Sequence, residues 1–316
     1  MLVIILVMNN ALSFDIEDYF QVSGFSDHID KSQWSSLPSR VQANTEKVLS
    51  FLADSRSTAT FFTLGWVARR HPQLIRKIAD AGHEVACHSL EHKKIFEMTP
   101  DEFREDTRAA KQALEDAGGQ AVKGYRAPSF SITRDSLWAF EVLVEQGFTY
   151  DSSIFPVKHP SYGMPKAPRA PFAIETTSGS LVEFPMMTLE YDGKRTPLGG
   201  GAYFRLLPYW FTRWALRYVN GVEKRPACVY LHPWELDSEQ PRVDAKASSR
   251  LRHYLGLRGA EKKLRRLLQD FDFQALGSLV RETQCESSVP AKALETLCAV
   301  EAGATPVHPC GGVLPS

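Results

Sequence analysis

With 316 residues, 43% of them hydrophobic, the chain is long enough to bury one large core or a core with an appendage. Lys plus Arg and Asp plus Glu both number 37, so the formal charge is +0 and nothing supports a non-specific nucleic-acid or anionic-membrane partner. Five scattered cysteines without a CxxC pair argue against a disulfide framework or a cysteine zinc site, and favour a reducing compartment.

The opening MLVIILVM is far shorter than the roughly 20 apolar residues a membrane span needs. It lacks a basic start and an A-x-A-like cleavage site, so residues 1–10 read as an extension, with Met8 a candidate true start. From there short β-rich runs alternate with helical stretches, the pattern of an α/β fold with parallel strands. ALSFD is the first strand and NTEKVLSFLADS a helix. TATFFTL is the second strand, followed by PQLIRKIADAG, whose Pro72 and Gly82 sit where a helix starts and stops. HEVACHS is a third, and Thr99 with Glu102 has the capping-box spacing that opens the next helix. VKGYRAP, the helix SLWAFEVLVEQG and FTYDSS continue the alternation; LVEFPMMT and CVYLHPWE are later strands flanking the aromatic helix LPYWFTRWALRYV. Pro and Gly residues over 156–203 predict loops above the site, and the small-residue-rich stretch 282–316 predicts a disordered tail.

Unusual polar groups fall at the strand ends: Asp15, His88, Arg126, Asp151 and His232. In a β/α barrel those ends converge on one face, where the active site lies. HSLEH places His92 four residues after His88, a spacing that on a helix turns both imidazoles to one side. With a carboxylate from the DIED run, two histidines leave open positions on zinc or a similar divalent ion, and open positions mean catalysis. The strand period puts Asp15 and Glu17 on one side, so one can bind metal while the other handles a proton; Asp18 competes as ligand if the strand has already ended. Arg126, just before Pro128, can pair with an acidic base and lower its pKa. His232 is placed for a general acid, its pKa raised by a hydrogen bond to Asp151. Trp234 is a candidate sugar platform, Tyr125 a core residue and Cys87 a small buried one, while the run EKKLRRLL reads as a solvated helix face.

FDIED, HSLEH, RAPS, YDSS and YLHPWE, in that order, resemble the five motifs of the polysaccharide deacetylases, carbohydrate esterases with a NodB-type domain. More narrowly, FDIEDYFQV, TFFTLGWVA, GYRAPSFSI, YDSSIFPV and GGGAYFRLLPYW resemble the branch associated with exosortase and exopolysaccharide gene clusters, which carries an additional C-terminal region of unknown function. The resemblance implies a distorted, incomplete (β/α) barrel over residues 11–235, with the C-terminal region, 200–281, contributing to the same domain. It implies metal-dependent removal of N-acetyl groups from amino sugars, with Asp15 as base and Glu17, His88 and His92 as metal ligands. Arg126 would hold the base, Asp151 with His232 would form the acid side, and the backbone N–H of Ser129 would face the oxyanion. Zn2+ is the expected cofactor, with Co2+, Ni2+ or Fe2+ as substitutes. Two departures stand out. The family's second carboxylate is an aspartate, where Glu17 or Asp18 must serve here, and the aromatic that follows Arg-x-Pro is Ser129, with Phe130 one place on.

The expected partner is an N-acetylated glycan, either a finished polymer or its lipid-linked precursor. No nucleic acid and no membrane-spanning segment is expected, and the location is cytoplasmic, with the inner membrane face as a docking place. Three rival readings remain. HSLEH also fits H-x-x-E-H, the inverted zinc-peptidase signature, with Glu91 as base; a barrel can bind glycan without cleaving it; and a metal-independent amidohydrolase-like relative is the third, although such relatives tend to lose the ligand set kept here.

Overall fold

A computed structural model of the chain describes residues 8–298 apart from 160, 161, 284 and 286. Most of the extension expected over 1–10 falls outside the described residues, and Asn10 already opens the first strand. Along the chain run β1 (Asn10–Ile16), α1 (Val41–Ser55), β2 (Thr60–Thr63), α2 (Gly65–Arg70), α3 (Pro72–Asp80), β3 (Glu84–Cys87), α4 (Pro100–Gly118), β4 (Gly124–Tyr125), α5 (Ala139–Glu145) and β5 (Tyr150–Asp151). These are followed by the hairpins β6 (Phe172–Thr176) with β7 (Gly179–Glu183) and β8 (Thr188–Tyr191) with β9 (Lys194–Pro197). Then come α6 (Gly201–Leu206), α7 (Tyr209–Gly221), β10 (Cys228–Leu231), α8 (Ala247–Tyr254), α9 (Leu257–Asp270), β11 (Phe273–Gln274), α10 (Leu276–Glu282), β12 (Ser288–Pro290) and α11 (Leu294–Cys298).

The main sheet runs β10-β1-β2-β3-β4-β5-β7-β6-β12, parallel from β10 through β7. β11 adds to the start of β1. Every residue of β1 and β2 is buried, as befits parallel strands covered on both faces by helices. The path ends at β10 and at β12, so the described strands make a distorted, incomplete β/α barrel. Helix boundaries follow local chemistry. Thr99 accepts from Glu102 N at 3.2 Å while Glu102 Oε2 accepts from Thr99 N at 2.8 Å, and Gly119, at φ 70°, ends the same helix.

Two expectations are corrected. The stretch 156–203 holds two β-hairpins, and LVEFPMMT is not one strand: Pro185, which has no N–H to donate, separates the end of β7 from the start of β8. The tail expected to be disordered from 282 onward contributes β12, paired parallel to the otherwise open edge of β6, and Leu294, which is fully buried. A strand of three residues and one anchoring leucine leave no periodic trace in a small-residue-rich segment. Residues 299–316 lie outside those described.

A candidate active site at the strand ends

Asp15 near the end of β1 and Glu17 just beyond it face one cavity, but the strand period does not place them there: the chain turns at Ile16, where Glu17 N donates to the Asp15 carbonyl at 3.1 Å. His88 follows β3, Arg126 follows β4 and His232 follows β10. Glu17, His88 and His92 offer ligand atoms within 4.8 Å of one another. Glu17 Oε2 stands 3.1 Å from His92 Nε2, and Oε1 3.4 Å from His232 Nε2. His88 Nδ1 lies 2.7 Å from the Arg126 carbonyl. Donating there fixes the tautomer and leaves Nε2 free to ligate.

The histidine pair is not helical. Ser89 and His92 adopt left-handed backbone, φ 71° and 57°, and Asp106 of α4 ties the loop down by accepting from Leu90 N at 3.0 Å and Ser89 Oγ at 3.3 Å. Asp18 is not available as a ligand. Its Oδ2 accepts from Ser39 Oγ, Arg40 N and Val41 N at 2.7, 2.9 and 3.2 Å, so it caps α1.

The donor set fits a divalent cation. Glu17 Oε2 is wholly buried without a hydrogen-bond partner, and burial, opposed by His232, pushes the Glu17 carboxyl up to about 7. Burial also holds His88 and His92 below the usual histidine range, keeping them in the neutral, ligating form. One orphaned carboxylate oxygen beside two neutral imidazoles suits zinc and several other ions.

Asp15 is almost fully buried, and burial alone would raise its pKa; Arg126, with Nη1 2.8 Å from Oδ1, reverses this and holds the carboxyl below the usual range. Arg126 is itself fixed by Ser13 Oγ at 2.8 Å, the Ser152 carbonyl at 3.1 Å and Ser152 Oγ at 3.0 Å. The Phe62 ring lies 4.1 Å from its guanidinium.

On the other side, His232 pairs with a carboxylate that the sequence reading missed. Glu235 Oε2 lies 3.2 Å from His232 Nδ1 and accepts from His232 N at 2.9 Å, while Oε1 accepts from Arg205 Nε at 2.7 Å. Burial would lower the His232 pKa, but Glu235, then Glu17, lift it to about 9. The expected Asp151–His232 bond is therefore corrected. Asp151 accepts from Ser153 N and Oγ at 2.9 and 2.7 Å, and its strand is separated from β10 by four others. The spacing of His232, Pro233 and Glu235, that of an N-cap, N1 and N3, is the signal that could have found Glu235.

Trp234 is only 6% exposed. His232 and His253 stack on it at 4.9 and 4.1 Å, and its indole N–H points to Glu17 Oε1 at 3.4 Å. It steadies a site carboxylate, which corrects its reading as a sugar platform. Ser129, at φ 54°, borders the same cavity of about 1090 Å³ as Asp15, Glu17 and His232, and shares a 2.6 Å hydrogen bond with Ser23. Glu91 faces half-exposed toward Lys31 at 3.8 Å, away from the base position a peptidase would need.

Residues 30–150 match the polysaccharide deacetylase family, and residues 152–281 match a domain of unknown function, DUF3473. A chitooligosaccharide deacetylase of Bradyrhizobium sp. (strain ANU 289) is 36% identical over 94 residues, 29% of this chain and 43% of that protein. A peptidoglycan-N-acetylglucosamine deacetylase of Bacillus cereus is 33% identical over 98 residues, 31% of this chain and 36% of that protein. The chain thus spans less than half the length of these curated relatives. A Mycobacterium smegmatis structure assigned as a polysaccharide deacetylase superposes with a TM-score of 0.59 at 21% identity, covering 89% of this chain and 92% of that one, a likeness of fold.

Proposed function

Since the chain carries a polysaccharide deacetylase domain joined to a DUF3473 domain, we propose that it hydrolyses N-acetyl groups on amino sugars of a polysaccharide, or of its lipid-linked precursor, in exopolysaccharide synthesis. Glu17, His88 and His92 would hold a divalent metal, zinc foremost, which supplies Lewis-acid polarisation of a carbonyl and a water.

Asp15 takes a proton from the attacking water. Arg126 keeps it ionised and fixes one oxygen, leaving Oδ2 turned toward His88 at 3.9 Å. His232, lifted to about 9, carries a proton at neutral pH and gives it to the departing amine. The N–H of Ser129 donates to the oxyanion. One observation carries this reading: Asp15, paired with Arg126, and His232, bonded to Glu235, both border the Glu17–His88–His92 cluster in one cavity. Acetate release from chitooligosaccharides, measured on metal-replete, chelator-stripped and re-metalled protein, tests it. Undiminished release after stripping would overturn the metal, and no release from any N-acetylated glycan would overturn the reaction.

A further inference from the structure

The helix α7 is apolar on more than its inner side. Tyr209, Ala215, Leu216 and Val219 are buried, yet Trp210 and Trp214, four residues apart and so on one face, stay 69% and 47% exposed. Their rings are part of a continuous row, Trp210 to Phe211 at 5.8 Å, Phe211 to Trp214 at 5.5 Å and Trp214 to Tyr218 at 5.7 Å. Leu206 and Val222, both exposed, extend it at either end. Leu251 and Leu255 are also exposed, on a segment that Arg205 of α6 holds by donating from Nη1 to the His253 carbonyl at 3.1 Å.

The surroundings are basic. α9, carrying the EKKLRRLL run, packs beside α7: the Tyr209 hydroxyl donates to Arg266 O at 3.0 Å, and the Arg266 guanidinium lies 4.5 Å from the Tyr209 ring. Most nearby carboxylates are already engaged, Asp270 by Arg213 and Tyr209, Glu261 by Lys47 and Arg265, and Glu223 by Arg169 and Arg225, while Asp272 is exposed beyond the end of α9. Arg217 and Lys224, exposed on and just after α7, pair with no carboxylate among the described residues. The zero net charge of the chain therefore hides a local positive excess.

We propose that α7 docks the protein peripherally on an anionic lipid surface. Tryptophan and tyrosine favour the headgroup layer, and arginine and lysine beside them meet lipid phosphates. A second copy of the chain is the poorer occupant, since it would set these unpaired cations against their own images. Tyr203 and Arg205 of α6, the helix just before α7, also line the active-site cavity. Given the deacetylase reading, docking would present that cavity to a lipid-linked glycan.

The test is flotation of the full chain with vesicles of phosphatidylethanolamine plus phosphatidylglycerol, and with phosphatidylcholine alone, a readout that needs no turnover. Wild type should float with the anionic vesicles and far less with the zwitterionic ones. Arg217→Gln and Lys224→Gln should each weaken binding roughly fivefold. Trp210→Ser/Trp214→Ser should abolish it while leaving thermal unfolding and hydrolysis of soluble chitooligosaccharide unchanged. Wild type that does not float, or a double variant that floats as well as wild type, would overturn the proposal. So would concentration-dependent dimerisation that the double variant removes, which would assign the face to a second copy.

Discussion

Arg205 and Glu235 form a buried ion pair, Nε to Oε1 2.7 Å, and the second Glu235 oxygen holds His232 through both its ring and its backbone nitrogen. The pair joins α6 to the turn after β10, so the position of the proposed acid depends on a segment some thirty residues away in sequence. Glu235→Gln leaves Arg205 buried without its counter-charge, and should lower stability by about 3–5 kcal/mol in denaturant unfolding. Arg205→Met combined with Glu235→Gln should recover part of that stability without restoring acetate release. A single variant as stable as wild type would show that the pair carries no structural weight.

Gly201 makes this pair possible. A Cβ there would sit 1.8 Å from Glu235 Oε2, so Gly201→Ala must displace the carboxylate that positions His232. Overpacking of this kind costs about 1–3 kcal/mol. We expect a lower melting temperature and a fall in kcat with little change in KM. A normal kcat would mean that the carboxylate relaxes without moving the imidazole.

An ion bound only by the folded chain stabilises it by mass action, by about 2.7 kcal/mol at a hundredfold excess over Kd. Zinc added to stripped protein should raise the melting temperature, and His92→Ala or Glu17→Gln should erase the rise. An equal rise in those variants would place the ion elsewhere.

Asp15→Asn separates base from ligand. Removing a general base lowers turnover by roughly 10²–10⁴, so acetate release should collapse while zinc content, read by elemental analysis, stays near that of wild type. Loss of zinc together with activity would reverse the two carboxylate roles.

The strand-end placement of Asp15, His88, Arg126 and His232 was legible because alternating apolar runs and helical patterns fix where parallel strands stop. What lay outside the sequence were choices made by distant chain. Glu17 rather than Asp18 faces His92 because residues 39–41 return to occupy Asp18, and HSLEH is shaped by Asp106 on α4 rather than by helical spacing. Glu235 replaces Asp151 as the partner of His232 because β1 to β4 lie between β5 and β10, an order that no local pattern reveals. LVEFPMMT marked the end of β7 and the start of β8, but the pairing of 172–197 into two hairpins escaped notice, since partly exposed strands of four or five residues leave too short an alternation to read.

Acid stability should report on His83, which lies away from the site with its ring 5.3 Å from Phe61 and its Nδ1 buried without a partner. Burial lowers its pKa from 6.5 to about 4. Above pH 6.5 the ring is neutral in both folded and unfolded chains, and the favourable burial is fully present. As pH falls below 6.5 the unfolded chain takes up a proton that the folded one refuses, so stability drops until about pH 4, where the folded ring also titrates. One such group contributes at most about 1.4 kcal/mol per pH unit. His83→Phe, keeping the aromatic contact without a titrating nitrogen, should reduce the slope of the stability profile between pH 6.5 and 4 in urea titrations, the remainder coming from buried histidines such as His253. An unchanged slope in that window would mean that other groups govern the acid limb.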